Sequence, residues 1–324
     1  MLVKLWGVRG SIPAPIAPVQ VENKVRNALT GFFEAGYKKK SDIEEFVKNL
    51  PLHLKSTFGG NTLCVEVNSS ETQVIIDAGS GLRQLGYKML QGPCGKGKGE
   101  VHIILTHLHW DHLVGIPFFV PIFIPGNTIH FYAVQPELRD MIKVLFKKPF
   151  FPVESDKLGA KIEYHQIQPR TSFSINDVAI TAYELDHPDP CFGYRLENNG
   201  KALAHCVDTE CTRVNREQLG ADLALYKNAD LMIFDAQYTL METIEKVTWG
   251  HASALIGIDL ALREGIKRVV FVHHDPGSDD EKVTAAAMQA DRYFKNQLKQ
   301  AKRSNHSALA LEWSFGHEGM EIEL

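Results

Sequence analysis

Seven residues decide the fold of this 324-residue chain: Thr106-His107-Leu108-His109-Trp110-Asp111-His112. They follow an apolar run, Val101 to Leu105, that predicts a buried strand. On an extended segment His107 and His109 project to the same side, and the turn after the strand brings Asp111 and His112 back toward them. Imidazole nitrogen and carboxylate oxygen are ligands that borderline divalent metals prefer. Four such groups exceed the need of one three-ligand catalytic ion, so the spacing predicts two ions side by side.

The composition argues against several classes of protein. The chain is 44% hydrophobic, enough for a full core, and its 35 basic against 39 acidic residues give a net charge of -4. A protein that grips long nucleic acid usually has a basic face, so long nucleic acid is not the expected partner. No window has the length of a membrane span, and the first residues lack the apolar segment of a secretion signal. Five cysteines without a CxxC pair indicate reduced thiols and a cytoplasmic location.

Strands and helices are predicted in both halves of the chain. The strands are predicted at Leu2–Gly7, Leu63–Val67, Gln73–Ile76, Val101–Leu105, Thr128–Val134, Ile162–Ile167, Val178–Leu185, Phe192–Leu196, Lys201–Val207, Leu231–Phe234 and Arg268–Val272, with closing edges at Ala308–Glu312 and Met320–Glu323. The helices are predicted at Val21–Tyr37, Ser41–Leu50, Leu82–Leu90, Pro136–Lys147, Ala252–Glu264 and Asp279–Lys302. This order predicts one domain, residues 1–324, with two packed sheets and helices outside. Residues 14–58 are predicted to be a helical insertion between two core strands.

Two metal ions need more donors than one loop can supply. Polar residues at predicted strand ends are the candidates, because strands deliver their loops to one rim of the sheets. The candidates are His187, Asp208, the pair His273 and His274, and His251 at a helix start. Each also has a structural explanation: a turn residue before a proline, a helix N-cap or a packing residue. His102, His130 and His165 have no supporting residues nearby in the sequence and are expected to be ordinary.

These residues together resemble the metallo-β-lactamase superfamily, and within it the phosphodiesterase and tRNase Z-like branch. The HxHxDH hallmark of that family is present as His107, His109, Asp111 and His112, and Ile76-Asp77-Ala78-Gly79 is similar to the segment that precedes it. The resemblance runs through most of the chain and leaves out residues 14–58. It implies an α/β fold, an αββα sandwich with a dinuclear metal site on one rim.

The resemblance also implies a role for each candidate. One metal takes His107, His109 and His187; the other takes Asp111, His112 and His273; Asp208 bridges them. His273 is preferred to His274 because of its spacing from Asp275, and Asp77 and His274 are expected as outer partners of the ligands. His251-Ala252-Ser253 resembles a His-Ser-Thr element whose histidine donates a proton, with Asp235 as its carboxylate partner; Ala252 departs from that pattern. An all nitrogen and oxygen ligand set suits zinc, manganese or iron equally.

The expected chemistry is hydrolysis of a phosphodiester. Two divalent ions supply a hydroxide that attacks phosphorus, with Asp111 orienting it, and His251 protonates the leaving oxygen. Small phosphodiesters, above all the 3′,5′-cyclic nucleotides cAMP and cGMP, are the favoured substrates, with Asn61 and Arg9 expected near the phosphate. The alternatives are a tRNA 3′-processing endonuclease and a non-hydrolytic metal-binding sensor of the same fold. A homodimer is compatible with the sequence.

Overall fold

The computed structural model describes residues 1–303 and 310–324, and in these ranges the strands form two seven-stranded sheets. The first sheet has the order β14 (Glu321–Glu323), β1 (Leu2–Gly7), β2 (Cys64–Asn68), β3 (Gln73–Ile76), β4 (Glu100–Ile104), β5 (Thr128–Ala133) and β6 (Lys161–Gln166). The second has the order β13 (Glu312–Phe315), β12 (Arg268–Val272), β11 (Leu231–Asp235), β10 (Lys201–Cys206), β9 (Phe192–Asn198), β8 (Val178–Glu184) and β7 (Phe173–Ile175). Strands β2 and β3 pair antiparallel as a hairpin.

Parallel pairing in each sheet is what positions the functional residues. Strands β3 to β6 are parallel neighbours in the first sheet, and β10 to β13 are parallel neighbours in the second. The carboxyl ends of parallel strands meet at one edge of a sheet. Asp77, His107, Asp208 and His273 therefore come out at such edges, each one to three residues after its strand, and Asp235 is the last residue of β11.

Helices cover the outer faces of both sheets, so the predicted αββα sandwich is confirmed. The helices are α1 (Pro18–Glu34), α2 (Ile43–Asn49), α3 (Leu52–Lys55), α4 (Leu82–Met89), α5 (Leu138–Leu145), α6 (Arg216–Leu219), α7 (Leu223–Tyr226), α8 (Leu240–Glu245), α9 (Ala254–Glu264) and α10 (Asp280–Arg303). An apolar core between the sheets includes Leu5, Val65, Ile233 and Val270, all fully buried. Helices α4 and α5 pack on the first sheet, and α9 and α10 on the second.

The segment between β1 and β2 is helical, as predicted for residues 14–58. It contains α1, α2 and α3, and no residue of these helices is fully buried. Helix α1 begins earlier than predicted, at Pro18, because the fixed φ of proline suits the first helical position. Lys24 on α1 pairs with Asp280 at the start of α10, which ties the insertion to the sandwich.

Two edge strands were predicted near the carboxyl terminus, and both are present, although one lies later in the chain than predicted. Strand β13 lies at Glu312–Phe315, later than the predicted Ala308–Glu312, whose first two residues lie outside the described residues. Strand β14 pairs with β1 close to its predicted position. Strand β7, only three residues long, was not predicted. Along the described residues, no helix combines the length and the apolar composition needed to cross a membrane.

Candidate metal centre

The predicted ligands meet where the carboxyl edges of the two sheets face each other. Asp208 lies at the middle: its Oδ2 is 3.0 Å from His112 Nε2 and 3.4 Å from His273 Nε2. The Oδ2 atom of Asp111 is 3.3 Å from each of the same two imidazole nitrogens. Asp111, His112, Asp208 and His273 are all buried. They form one compact group of donors.

A second group of donors adjoins the first. The ring centroids of His107 and His109 are 4.4 Å apart, and both rings lie 5.0 Å from that of His187. Their nitrogens lie within 4.8 Å of one another. His107 is also within that distance of His112 and Asp208, so it joins the two groups. The structure thus brings together all seven residues predicted as ligands.

Three residues at this edge have strained backbones. Asp77, Asp208 and His273 have φ values of 61°, 62° and 64°, in the left-handed region. Side chains other than glycine rarely adopt this conformation, and such strain is concentrated at functional sites. The left-handed turn directs each side chain from the end of its strand toward the gap between the two sheets.

The outer nitrogens of the histidines are held in place, which leaves the inner ones free. His109 Nε2 lies 2.8 Å from Asp189 Oδ2, and His187 Nδ1 lies 3.0 Å from the Asp189 carbonyl oxygen. His107 Nδ1 is 3.1 Å from Thr106 Oγ1. A partner on one ring nitrogen fixes the tautomer and aims the other nitrogen, as in protein metal sites. Asp189 was not predicted, although its position two residues after His187 was a usable signal.

Asp77 lies behind the ligands, as expected of an outer partner. Its Oδ1 accepts a hydrogen bond from Thr106 N at 2.9 Å. Its Oδ2 is 2.9 Å from His112 Nδ1, an ion-pair distance, although the contact is off the hydrogen-bond direction. Fully buried, Asp77 thereby fixes both the loop and the ring that the loop presents.

The buried polar atoms of the group fit a divalent ion. His107 Nε2, His112 Nε2 and Asp208 Oδ2 are buried and make no hydrogen bond, although they lie close together. Buried polar atoms without a partner cost about 1–3 kcal/mol each. Converging nitrogen and oxygen atoms that lack hydrogen bonds are what a metal ion would satisfy. The donor set therefore supports divalent metal binding at this edge.

The buried carboxylates and imidazoles of the group shift one another's pKa values. Burial and the neighbouring imidazole of His112 hold the pKa of His107 well below its ordinary value. The pKa of His273 is instead raised to about 10, since Asp208, Asp111 and Asp235 outweigh its burial. Against the opposing effect of burial, His112 and His273 lower the pKa of Asp111. Positive charge beside these buried carboxylates is therefore favourable.

His251 and Asp235 form a pair beside the carboxylate group. His251 Nδ1 lies 3.0 Å from Asp235 Oδ2 and 3.5 Å from Asp208 Oδ1. Asp235 also accepts hydrogen bonds from the backbone of Ala252 and Gln237, at 3.0 and 3.1 Å. The departure at Ala252 from the family pattern therefore leaves the backbone contact in place. The predicted partnership of these two residues matches their geometry.

His274 is not brought to the group. Its Nε2 lies 2.9 Å from the Gly316 carbonyl oxygen, and its ring stacks on Phe315. Burial lowers its pKa to about 4, so it is a neutral core residue. The two histidines follow one another at a strand end, and the left-handed turn at His273 sends their side chains in different directions. His274 is therefore not placed as a partner of the ligands.

Arg9 and Asn61, expected near a phosphate, are used elsewhere. Arg9 is 3% exposed, and its guanidinium donates hydrogen bonds to the carbonyl oxygens of Gly59 and Ser278. Asn61 donates to Glu318 through both its backbone and its side-chain amide, at 2.6 and 3.1 Å. Their glycine-flanked loops pack against other loops of the chain, and both side chains are hydrogen-bonded there.

Two glycines and a backbone amide support the group without having been predicted. Ser11 N donates to Asp111 Oδ2 at 2.8 Å, so the loop after β1 orients this carboxylate. A Cβ added to Gly10 would come 2.7 Å from the ring of His273. One added to Gly250 would come 2.2 Å from the ring of His187. One signal for the two glycine contacts was present in the sequence: Gly10 follows the candidate Arg9, and Gly250 precedes the candidate His251.

We expect Gly250→Ala to weaken metal binding through His187. The added methyl group must displace the imidazole ring, and comparable disturbances behind metal ligands cost about 10–100-fold in metal affinity. Gly200→Ala is the matched control, because Gly200 has a similar φ, +72° against +84°, with nothing within 4 Å of the added atom. Zinc titration of both metal-free variants checks this. Equal zinc affinities in the two variants would contradict a role for the contact between Gly250 and His187 in metal binding.

Two helix-covered sheets with histidines and aspartates at their shared edge define the metallo-β-lactamase fold class. The chain belongs to the beta-lactamase superfamily domain family, whose model matches residues 72–274. It is 22% identical over 268 residues to a ribonuclease Z of Natronomonas pharaonis, an alignment that covers 66% of this chain and 81% of the relative.

Solved structures share the fold at low identity. The metallo-beta-lactamase fold protein YhfI of Bacillus subtilis has a TM-score of 0.59 and 15% identity, over 100% of this chain and 99% of its own. The short form of human tRNase Z has a TM-score of 0.58 and 16% identity, again over 100% and 99%. These similarities confirm the fold and leave the activity to be argued from the site.

Proposed function

We propose that the protein is a metal-dependent hydrolase of phosphodiester bonds with two divalent ions. His107, His109 and His187 would hold one ion, Asp111, His112 and His273 the other, and Asp208 would bind both. The observation that carries the proposal is the position of Asp208, within 3.4 Å of two imidazole nitrogens and beside a His251–Asp235 pair. A site that only stored metal would need no buried imidazole–carboxylate pair next to its ligands.

Each residue beside the metals has a specific part in the proposed reaction. When bound, two divalent ions activate water as a nucleophile and neutralise charge on the phosphate oxygens. Asp235 accepts a hydrogen bond from Nδ1 of His251. This contact turns Nε2 of the same ring away from the carboxylate. Protonated at Nε2, His251 can donate a proton to the leaving alkoxide. Ser11 N holds Asp111 Oδ2 and so keeps that carboxylate in one orientation beside the nucleophile.

A nucleotide is the substrate that the rim of the site favours. Trp110 and Trp249 belong to the loops that carry His109 and His251, and their side chains are 59% and 62% exposed. The ammonium group of Lys246 lies 5.7 Å from the Trp249 ring. Exposed rings next to a cation can stack on a base and contact a phosphate. Recognition of a nucleotide would account for the exposure of Trp110 and Trp249 at the rim of the site.

Two substrates were predicted, cyclic nucleotides and precursor tRNA, and the names of the relatives favour the RNA. The relative from Natronomonas pharaonis is named ribonuclease Z, and the human neighbour is a tRNase Z. We therefore propose cleavage near the 3′ end of precursor tRNA as the first activity to test. This reverses the order expected from the composition, which ranked cyclic nucleotides first and long nucleic acid low. The net charge of -4 still favours a small substrate, so 3′,5′-cyclic nucleotides are the second candidate.

A substrate panel separates these proposals. The metal-free protein is loaded with manganese or zinc and offered precursor tRNA, cyclic AMP, cyclic GMP and bis(p-nitrophenyl) phosphate, with Asp208→Ala in parallel. We expect cleavage of the chromogenic diester and of precursor tRNA, both lost in the variant. Cleavage of cyclic nucleotides without precursor tRNA would move the second candidate to first place. No turnover of any diester with metals bound would favour a non-hydrolytic sensor.

A further inference from the structure

A second group of histidines and carboxylates lies on the first sheet. His130 is on β5, and Glu163 and His165 are on the neighbouring β6, with Glu163 directly opposite His130 in the register. Tyr132, two residues after His130, belongs to the core between the sheets. Because side chains alternate along a strand, His130 shares this inner face. We call His130, Glu163 and His165 the sheet-face cluster.

The sheet-face cluster is separate from the candidate metal centre. On β4, His102 stands opposite His130 and stacks on its ring, with the two centroids 4.8 Å apart. His107 follows His102 by five residues, a span of at most about 16 Å at roughly 3.3 Å per extended residue. The described residues place no ligand of the metal centre in the cluster.

The donor atoms of the cluster have the spacing of a tetrahedral metal site. His130 Nδ1 is 3.0 Å from His165 Nε2 and 3.3 Å from Glu163 Oε2. The distance from His165 Nε2 to Glu163 Oε2 is 3.8 Å. Ligand atoms bound to zinc at 2.0–2.1 Å in a tetrahedron lie about 3.3–3.4 Å apart. The three distances average close to that value.

A carboxylate behind His130 fits the same interpretation. His130 Nε2 is buried and makes no hydrogen bond, and it lies 3.3 Å from Glu100 Oε1. A neutral histidine that binds metal through Nδ1 carries its proton on Nε2, and such protons are commonly donated to a carboxylate. Glu100 is well exposed and can close that small gap. The ring of His130 is thus placed to present its Nδ1 lone pair to the cluster.

Lys161 Nζ pairs with Glu163 Oε1, but hydrogen bonds leave one contact among the three facing donor atoms unmade. His130 Nδ1 carries either one proton or one lone pair, so it can serve only one of its two neighbours. A cation satisfies all three donor atoms at once. Burial and the adjacent His130 lower the pKa of His165, and the neutral imidazole is the form that binds metal.

We propose that His130, Glu163 and His165 bind one borderline divalent cation, for which zinc is the best match. Glu163 and His165 have side chains 31% and 36% exposed, so the ion can enter from solvent and keep a fourth position open to water. Strand β6 forms one edge of the first sheet, and the ion would cross-link it to β5. The site would serve stability, and the reaction at the metal centre would not need it.

Zinc stoichiometry tests the proposal. The full-length metal-free protein is dialysed against Zn²⁺, and bound zinc is measured by mass spectrometry for the wild type, His165→Ala and the control His53→Ala. We expect His165→Ala to bind one zinc ion fewer per chain than the wild type, and His53→Ala to bind the same number. Equal zinc content in the wild type and His165→Ala would overturn the proposal.

A conservative variant and an activity measurement guard against misfolding. Glu163→Gln keeps the shape of the side chain and removes its charge, so we expect it to bind its weakest zinc equivalent at least about tenfold less tightly. Both cluster variants should hydrolyse the chromogenic diester within about twofold of the wild-type rate. Unchanged zinc affinity in Glu163→Gln would contradict the site. Lost activity with a folded chain and a filled metal centre would contradict its separation from catalysis.

Discussion

We expect Asp208→Ala to lose both metal occupancy and activity. Asp208 Oδ2 lies 3.0 Å from His112 Nε2 and 3.4 Å from His273 Nε2, and no other carboxylate faces both halves of the donor set. The comparison with other carboxylates covers residues 1–303 and 310–324. Bound metals contribute several kcal/mol to the proposed reaction, and about 4 kcal/mol corresponds to a 10³-fold change in rate. We therefore expect the rate to fall at least about 10³-fold, with zinc lost from the centre.

Metal analysis and diester hydrolysis on the same samples check this expectation. Asp177→Ala is the control, since this carboxylate also accepts several hydrogen bonds, from Ser69, Thr72 and Asn198, at the turn before β8. It should keep its metals and its rate. If Asp208→Ala kept both metal ions and more than a tenth of the wild-type rate, the bridging role would be wrong.

The second large effect is expected for His251→Ala, with metals retained. Loss of a positioned general acid costs about 10²–10⁴-fold in rate. The size of the loss should depend on the leaving group. An alkoxide, as in RNA or a cyclic nucleotide, needs the proton, whereas p-nitrophenolate is stable without it. We expect a large loss of kcat on the natural class of substrate and a small one on bis(p-nitrophenyl) phosphate.

Zinc content distinguishes this role from that of a ligand. Asp235→Asn should move kcat in the same direction as His251→Ala, because Asp235 Oδ2 lies 3.0 Å from His251 Nδ1. That carboxylate also lies 3.3 Å from His273 Nδ1, so some loss of metal affinity is expected in Asp235→Asn alone. An empty centre in His251→Ala, or equal losses on both leaving groups, would contradict the assignment of His251 as the acid.

The sequence predicted the centre because its donors follow a local rule. His107 to His112 lie within six residues, and Asp208, Asp235 and His273 each stand at or directly after the end of an apolar strand. Parallel strands bring such positions to one edge, which made these residues candidates, and the resemblance to the metallo-β-lactamase superfamily implied which of them share a metal. Hydrophobic alternation located the strands to within a few residues, which this rule tolerates.

The contacts that the sequence did not reveal depend on tertiary packing. Arg9 and Asn61 have side chains suited to a phosphate, and only the folded loops show that backbone carbonyl oxygens and Glu318 occupy them. The spacing from Asp275 favoured His273 over His274 as a ligand, but only the left-handed backbone at His273 shows that His274 turns toward Gly316 and Phe315 instead of supporting the ligands. The sheet-face cluster was missed because His130 and His165 belong to different strands, and their proximity depends on the register of β5 and β6.

The measurement that tests the central claim most directly is a metal titration of activity. Metal-free His165→Ala, which lacks one donor of the sheet-face cluster, is titrated with Zn²⁺ or Mn²⁺ while hydrolysis of bis(p-nitrophenyl) phosphate is followed. We expect background rates without metal and a rise that reaches its plateau at two equivalents per chain. Full activity of the metal-free protein, or no hydrolysis after two equivalents are bound, would contradict a two-metal phosphodiesterase.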